Sequence, residues 1–257
     1  CILFSDDDFP VGNPQGINRL FKLCDYILEF KKEGRIPKDI RFSMQARIYD
    51  FFSRSRGKKW VNWDLLNKLA EAGFMSIGMG VETYSDRVMK APSINKIGVN
   101  REDVFNIVNA MLEVGLVPQT NLILGIPEYT PEELVETMEV AFGYLQKNCD
   151  VATTSLMNVM PGSPLQKMGG YEVFYRHWRN PYNGKEVKIE DYFIPNHPVI
   201  RAGIEDFQRF ADAELNDIAV KNNWNDKIIA KRVVHVCNLI GAARAIDRND
   251  VADRFRL

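Results

Sequence analysis

Asn121-Leu122-Ile123-Leu124-Gly125-Ile126-Pro127, followed by Glu128-Tyr129-Thr130-Pro131-Glu132-Glu133, is the stretch whose reading decides the fold. An apolar run of this length, entered through Val117-Pro118 and ended by Gly125 and Pro127, suits a strand buried on both faces. Thr130 is placed to cap a helix, with Pro131 as its first residue and Glu133 closing a capping box. A buried strand thus hands over to a helix through a tight turn, which is half of a βαβ unit.

Working outward, the half-unit recurs. Ile2-Leu3-Phe4 starts the first strand, and residues 16–32 carry Ile17, Leu20, Phe21, Cys24, Ile27, Leu28 and Phe30 as a helical apolar stripe stopped by Gly34. Residues 39–45 alternate after Pro37 and read as a strand, and Leu65, Leu66 and Leu69 mark a helix over 64–72 that stops at Gly73. Residues 74–81 form the next buried strand, with Gly78 and Gly80 admitting close approach of backbone or ligand. Asn100 caps a helix over 101–112 that ends at Gly115, the central strand follows, and a helix fills 131–146. Residues 150–158 are the last strand of the series. Five strands therefore begin near Ile2, Ile40, Phe74, Pro118 and Val151, a spacing that matches the βα repeats of a barrel or a doubly wound sheet.

Past Leu165 the pattern breaks. Residues 171–197 are rich in aromatics, Asn and Pro and read as an irregular extension, with two helices expected at 200–221 and 226–247. The expected division is therefore a barrel domain over 1–168 and a mostly helical extension over 169–257. His235 and Cys237 fall on the last helix and read as core. His177, Trp178, Tyr182, Tyr192 and His197 could line a pocket, although a packed extension uses the same residues.

Composition sets the bounds. With 257 residues the chain can bury a large core, and its net charge of -1 gives no sign of a nucleic-acid or membrane-surface binder. No apolar run approaches the ~20 residues of a membrane span. No leader pattern precedes the first strand, so a reducing cytoplasm is the default expectation. Cys1, Cys24, Cys149 and Cys237 fit no disulfide frame and no zinc spacing. The chain opens on Cys1 and a strand without an initiator Met, so the expectation is a piece of a longer polypeptide.

The polar residues at the strand ends are the candidate site. Asp6-Asp7-Asp8 would repel one another unless a cation or donors offset the charge; the alternative is a loop capping the next helix. The strand over 39–45 delivers Gln45 and Arg47 to the same end, where Arg47 could clamp a carboxylate or simply sit at the surface. Glu82 closes its strand, ready to receive amino or hydroxyl donors or to bond nearby backbone amides. Residues 54–59 are a basic loop read as a solvated turn.

These residues resemble the radical S-adenosylmethionine enzymes, closest to the branch that often carries a cobalamin-binding domain. Phe4-Ser5-Asp6-Asp7-Asp8-Phe9 looks like the family's F-x-D-D-x-F after its second strand. Leu65-Leu66-Asn67-Lys68-Leu69-Ala70-Glu71-Ala72-Gly73, then Gly80-Val81-Glu82-Thr83, looks like its L-L-x-x-L-x-x-A-G helix and G-x-E-S/T strand. Gly125-Ile126-Pro127 with Thr130-Pro131-Glu132-Glu133 is similar to its G-x-P-x-x-T-x-E-E, and Pro161-Gly162-Ser163-Pro164-Leu165 to its P-G-T/S-P-L. In order and together, they cover the chain to about Met168.

The resemblance implies a partial (β/α)6 barrel lacking its first βα unit, with an open side for substrate. It implies S-adenosylmethionine across the strand ends beside a 4Fe-4S cluster, where reductive cleavage gives a 5′-deoxyadenosyl radical that abstracts hydrogen. Carried over, Asp6 and Asp7 lie near the methionyl amino group, and Gln45, Arg47 and Glu82 hold the methionyl carboxylate or the ribose hydroxyls. The backbone near Asn121, Leu122 and Met160 would face adenine. A zwitterion and a diol call for this mixture of cation and acceptors. The family's cluster sits on a Cys-x-x-x-Cys-x-x-Cys loop after its first strand, and these 257 residues contain no such loop. The expectation is a fragment that neither assembles the cluster nor reacts alone. Cobalamin would depend on a domain outside this sequence. Two other readings stand beside it: a divalent-metal barrel lyase or hydrolase using Asp6, Asp7 and Glu82, and a degenerate, non-catalytic binding module of the same family.

Overall fold

The computed structural model describes residues 1–10, 12–145, 147, 149–154, 172–179, 182–194, 243–244, 246 and 248–254. Contacts divide the chain into two units, residues 1–82, 96–121 and 144–152 in the first and residues 83–95, 122–143 and 153–257 in the second.

The first unit is built on a sheet. Strand β1 (Ile2–Leu3) precedes helix α1 (Pro14–Lys32), and β2 (Phe42–Ala46) follows it. A hairpin of β3 (Phe52–Ser55) and β4 (Lys58–Val61) leads into α2 (Trp63–Ala72) and β5 (Phe74–Glu82). The short α3 (Asp86–Met89) belongs to the second unit, and the first resumes with α4 (Arg101–Glu113), β6 (Val117–Ile123) and, beyond α5 (Pro131–Leu145), β7 (Asp150–Thr154). The sheet order is β1-β2-β5-β6-β7, with β1 parallel to β2 and β2 parallel to β5. Each new sheet strand is added beside its predecessor and the order never reverses. A doubly wound sheet has a reversal point, so the order selects the barrel-type winding, here an open partial barrel.

Local chemistry explains the elements. Asn13 caps α1 by accepting from the Gly16 amide at 2.8 Å, with Pro14 as the first helical residue. Leu20, Cys24 and Ile27 are its buried stripe. Asn62 caps α2, and Gly73 ends it at φ +97, where a Cβ would also lie 3.1 Å from the Ile40 carbonyl. Asn100 and Asp103 form a reciprocal capping box on α4. Leu65, Leu66, Leu69, Ile77, Met79, Val104, Ile107 and Met111 make the sealed core, and Phe4, Phe42 and Phe74 stack at its β1 end.

In the second unit the expected box on α5 is present: Glu133 N donates to Thr130 Oγ1 at 3.3 Å, and Thr130 N to Glu133 Oε2 at 3.1 Å. Arg87 and Ser85 also bond Glu133, both at 2.8 Å to Oε1.

Two expectations change. The basic loop at 54–59 is the tip of the β3–β4 hairpin. The irregular extension contains a second antiparallel hairpin, β8 (Glu172–Arg179) with β9 (Glu186–Ile194). In both, charged and aromatic side chains hide the alternation, while the turns Arg56-Gly57 and Asn183-Gly184 supply the signal. His177, Trp178 and Tyr192 fall on β8 and β9, and Tyr182 is exposed on the turn. A six-residue helix α6 (Asn249–Arg254) was not expected. The helix expected at 200–221, His197, His235, Cys237 and the 161–165 motif lie outside the described residues, and of the helix expected at 226–247 only residues 243–244 and 246 are described. Among the described residues, no helix is long and apolar enough to cross a membrane.

Candidate functional site

Alternation along the strands of the first unit sorts the side chains. On β2 the sealed positions are Phe42, Met44 and Ala46, and the half-open ones are Ser43 and Gln45. On β5 the sealed residues include Ile77, Met79 and Val81, and the half-open positions near its end are Gly80 and Glu82. On β6 Gln119 and Asn121 are half-open and joined by a 2.9 Å hydrogen bond from Gln119 Nε2. The half-open positions toward the strand ends are thus polar or glycine, which a ligand surface needs and a packed core would not tolerate without partners.

Gln45 stands opposite Gly78 in the register of β2 and β5, and its amide spreads over the glycine. A Cβ at Gly78 would come within 2.8 Å of Gln45 Oε1, so glycine is what allows the amide to lie there. Four residues on, Glu82 ends β5 with φ +68, a left-handed conformation unusual for a side chain of this size. It folds back so that its carboxylate covers Gly80. Lys96 closes the group, with Nζ 3.4 Å from Glu82 Oε1 and 2.5 Å from the Gly80 carbonyl. Burial raises the Glu82 carboxyl above the ordinary carboxylate range, and Lys96 opposes that rise.

At the end of β2 the loop carrying the three aspartates is fastened by Phe4 N to the Ser43 carbonyl at 2.9 Å and Phe9 N to the Gln45 carbonyl at 3.0 Å. Arg47 Nε lies 3.1 Å from Asp8 Oδ2, and the Arg47 amide donates to Asp50 Oδ2 at 2.9 Å. Asp50 is 4% exposed. Burial, reinforced by the neighbouring Asp8 carboxyl and opposed by the Arg47 amide, pushes its carboxyl up to about 7. Asp8 Oδ1 and Asp50 Oδ1 have no conventional donor. Burial thus favours the protonated form of the Asp50 carboxyl.

The structure therefore groups Gln45 with Gly78, Glu82 with Lys96, and Arg47 with Asp8 and Asp50. Asp6 and Asp7, the expected pair, are exposed; the engaged aspartate of that motif is Asp8. Leu122 is buried and falls in the second unit, and Met160 lies outside the described residues. Sequence reasoning missed Asp50 and Lys96. The position of Asp50 three residues after Arg47 is a local signal of a turn closed by its carboxylate, whereas Lys96 has none.

Cys1 is exposed, Cys24 is buried in α1 with its thiol pushed up to about 12 by burial, and Cys149 is buried. Among the described residues no group of three His, Cys, Asp or Glu is arranged to hold a metal ion, so Asp6, Asp7 and Glu82 do not form the divalent-metal centre considered above.

A sequence profile described as the radical SAM superfamily matches residues 14–141. A comparison with curated protein sequences gives no match. Among solved structures, the cobalamin-dependent S-adenosylmethionine radical enzyme OxsB with aqua-cobalamin bound is similar at a TM-score of 0.62 and 14% identity, over 95% of this chain and 39% of OxsB. OxsB with aqua-cobalamin and S-adenosylmethionine bound gives 0.61 and 14%, over 93% and 38%. The radical S-adenosylmethionine methyltransferase TsrM from Kitasatospora setae gives 0.48 and 15%, over 63% and 28%. At such identities the likeness is one of fold, and this chain spans about two-fifths of the length of OxsB.

Proposed function

We propose, from the premise that this chain belongs to the radical SAM superfamily over residues 14–141, that the strand ends of its first unit bind S-adenosylmethionine as part of a radical enzyme. The observation that carries the reading is the pairing of Gln45 over Gly78 with Glu82 folded over Gly80. These are an amide and a carboxylate that lie close to the sheet because glycines make room for them, with their polar atoms offered at the strand ends.

The residues fit the molecule by donor type. Glu82 is an acceptor for a diol and has a free oxygen beside the one that Lys96 meets. Gln45 offers both donor and acceptor. Arg47, whose side chain is 69% exposed, keeps guanidinium nitrogens beyond the one facing Asp8 for a carboxylate. Exposed Asp6 and Asp7 are acceptors for an ammonium group, and Asn121 supplies an amide at the end of β6 for a base edge. In this family the bound molecule, reduced by its cluster, supplies a 5′-deoxyadenosyl radical for hydrogen abstraction or group transfer. The likeness of fold to OxsB supports cobalamin as a second cofactor of the complete enzyme.

The cluster is a different matter. Cys24 is sealed and protonated, Cys149 is buried, and no three cysteines of the sequence share a loop. Thiolate ligation needs deprotonated, converging sulfurs. On its own the 257-residue chain takes up no cluster and is inactive. Anaerobic treatment with iron and sulfide, followed by desalting, is expected to leave no iron–sulfur absorption; one cluster per chain would overturn this part of the reading. Hydrogen exchange with S-adenosylhomocysteine tests the other part. Protection over 42–50 and 74–82 is expected, and unchanged exchange in both segments would refute it.

A further inference from the structure

The β3–β4 hairpin ends in a two-residue turn, since Ser55 pairs with Lys58 and only Arg56 and Gly57 lie between. Both turn residues have positive φ, +49 at Arg56 and +77 at Gly57, as a type I′ turn requires. Asn or Gly fits the first position without strain. A long side chain in the left-handed region costs about 1 kcal/mol. A merely solvated turn has no need of that cost.

The hairpin walls an open cavity of about 470 Å³ with Tyr49, Arg54, Ser55, Arg56, Lys58 and Lys59 among its lining. Lys59 is already neutralised, paired with buried Asp103 and donating to the Gly98 carbonyl at 3.3 Å. Arg54 lies over the Tyr49 ring, which fixes the guanidinium plane. Arg54, Arg56 and Lys58 have no carboxylate partner among the described residues. Burial lowers the Arg54 pKa from its ordinary value, and the Asp103 carboxylate, already paired with Lys59, opposes that shift without reversing it. The whole chain carries a net charge of only -1, so three cations with no ion-pair partner among the described residues around one cavity are a local concentration and not a general affinity for polyanions.

We propose that this cavity binds a small phosphate-bearing ligand, held by Arg54, Arg56 and Lys58 with the Ser55 hydroxyl as a further donor. A monocarboxylate would neutralise one of the three cations. A phosphate ester or diphosphate matches both the charge and the planar, two-pronged donors of the arginines. The volume is that of a small-molecule site. None of these residues is assigned to S-adenosylmethionine, so the site stands independently of that reading.

Calorimetric titration of the 257-residue chain with inorganic pyrophosphate in about 150 mM salt, where weak surface charge is screened, tests it. Saturable one-site binding is expected, weakened about tenfold or more in Arg56→Gly and in Lys58→Gln, as losing one charge-assisted hydrogen bond implies. Arg56→Gly relieves the turn, so its melting temperature is expected to stay level or rise while affinity falls. That opposition separates a ligand contact from a structural role. Absence of saturable binding, equal affinity in the folded variants, or binding of an RNA oligonucleotide without binding of pyrophosphate would each overturn the proposal.

Discussion

Lys96 reaches back across the end of β5 to Glu82, its Nζ 3.4 Å from Oε1, and donates to the Gly80 carbonyl beside it. The lysine offsets a carboxylate that burial disfavours. In Lys96→Met the Glu82 carboxyl is expected to rise further. A raised folded-state pKa means stability present at low pH and lost as pH climbs through it. The variant should therefore lose more stability than wild type between pH 5 and pH 8, on the order of 1 kcal/mol at the upper end. Chemical denaturation at the two pH values measures this, and parallel changes in both proteins would disprove it.

Asp50 gives a second pH effect with the same sign. Its carboxyl, pushed up to about 7, binds a proton in the folded state that the unfolded chain releases near 4. Stability from this group is full below pH 4 and declines as pH rises to about 7. Asn at this position keeps the acceptor for the Arg47 amide and adds a donor toward Asp8. Asp50→Asn is expected to be more stable than wild type at pH 8, by roughly 1–3 kcal/mol, and level with it near pH 4. A destabilised variant at pH 8 would show that Asp50 is held as a paired carboxylate.

Gly78 tests the close approach. A methyl group there would push the Gln45 amide aside, and that amide is the far end of a flexible side chain. Gly78→Ala should cost less than about 1 kcal/mol in stability while weakening S-adenosylhomocysteine binding about tenfold. Thermal melts beside a binding isotherm separate the two effects. Unchanged affinity would remove Gln45 and Gly78 from the site.

Glu133, in the second unit, has the opposite pH sign. Arg87, the Thr130 amide and Ser85 hold its carboxyl down at about 2. That stabilisation is present above the ordinary glutamate range and fades as pH falls toward 2. Because Arg87 is largely exposed, Glu133→Gln should cost only about 1 kcal/mol at pH 7. The difference from wild type should shrink by pH 3, as read from urea midpoints.

Phe74 to Val81 was legible as a continuous apolar run and Phe42 to Ala46 by its alternation, whereas the deciding stretch, expected to be buried on both faces, alternates instead, with Gln119, Asn121 and Ile123 half-open and the strand ending at Ile123. Helix limits were legible at Asn100, Gly73 and Thr130 for a local reason, since capping is short-range chemistry. The hairpins were not, because Arg54 to Lys59 alternates charge with charge and no apolar face marks the pleat. At the site, Gln45 and Glu82 follow from strand ends. Choosing Asp8 over Asp6 and Asp7 required knowing which aspartate the Phe9 amide's bond to Gln45 turns toward Arg47. Lys96 could not be read at all, because the path of the chain after Glu82 decides where it returns.

Titration of the 257-residue chain with S-adenosylhomocysteine, compared with Glu82→Gln, tests the central claim most directly. The account predicts saturable, one-to-one binding by the wild-type chain and at least tenfold weaker binding by a variant that is equally well folded. Absent binding, or identical affinity in the two proteins, would contradict it.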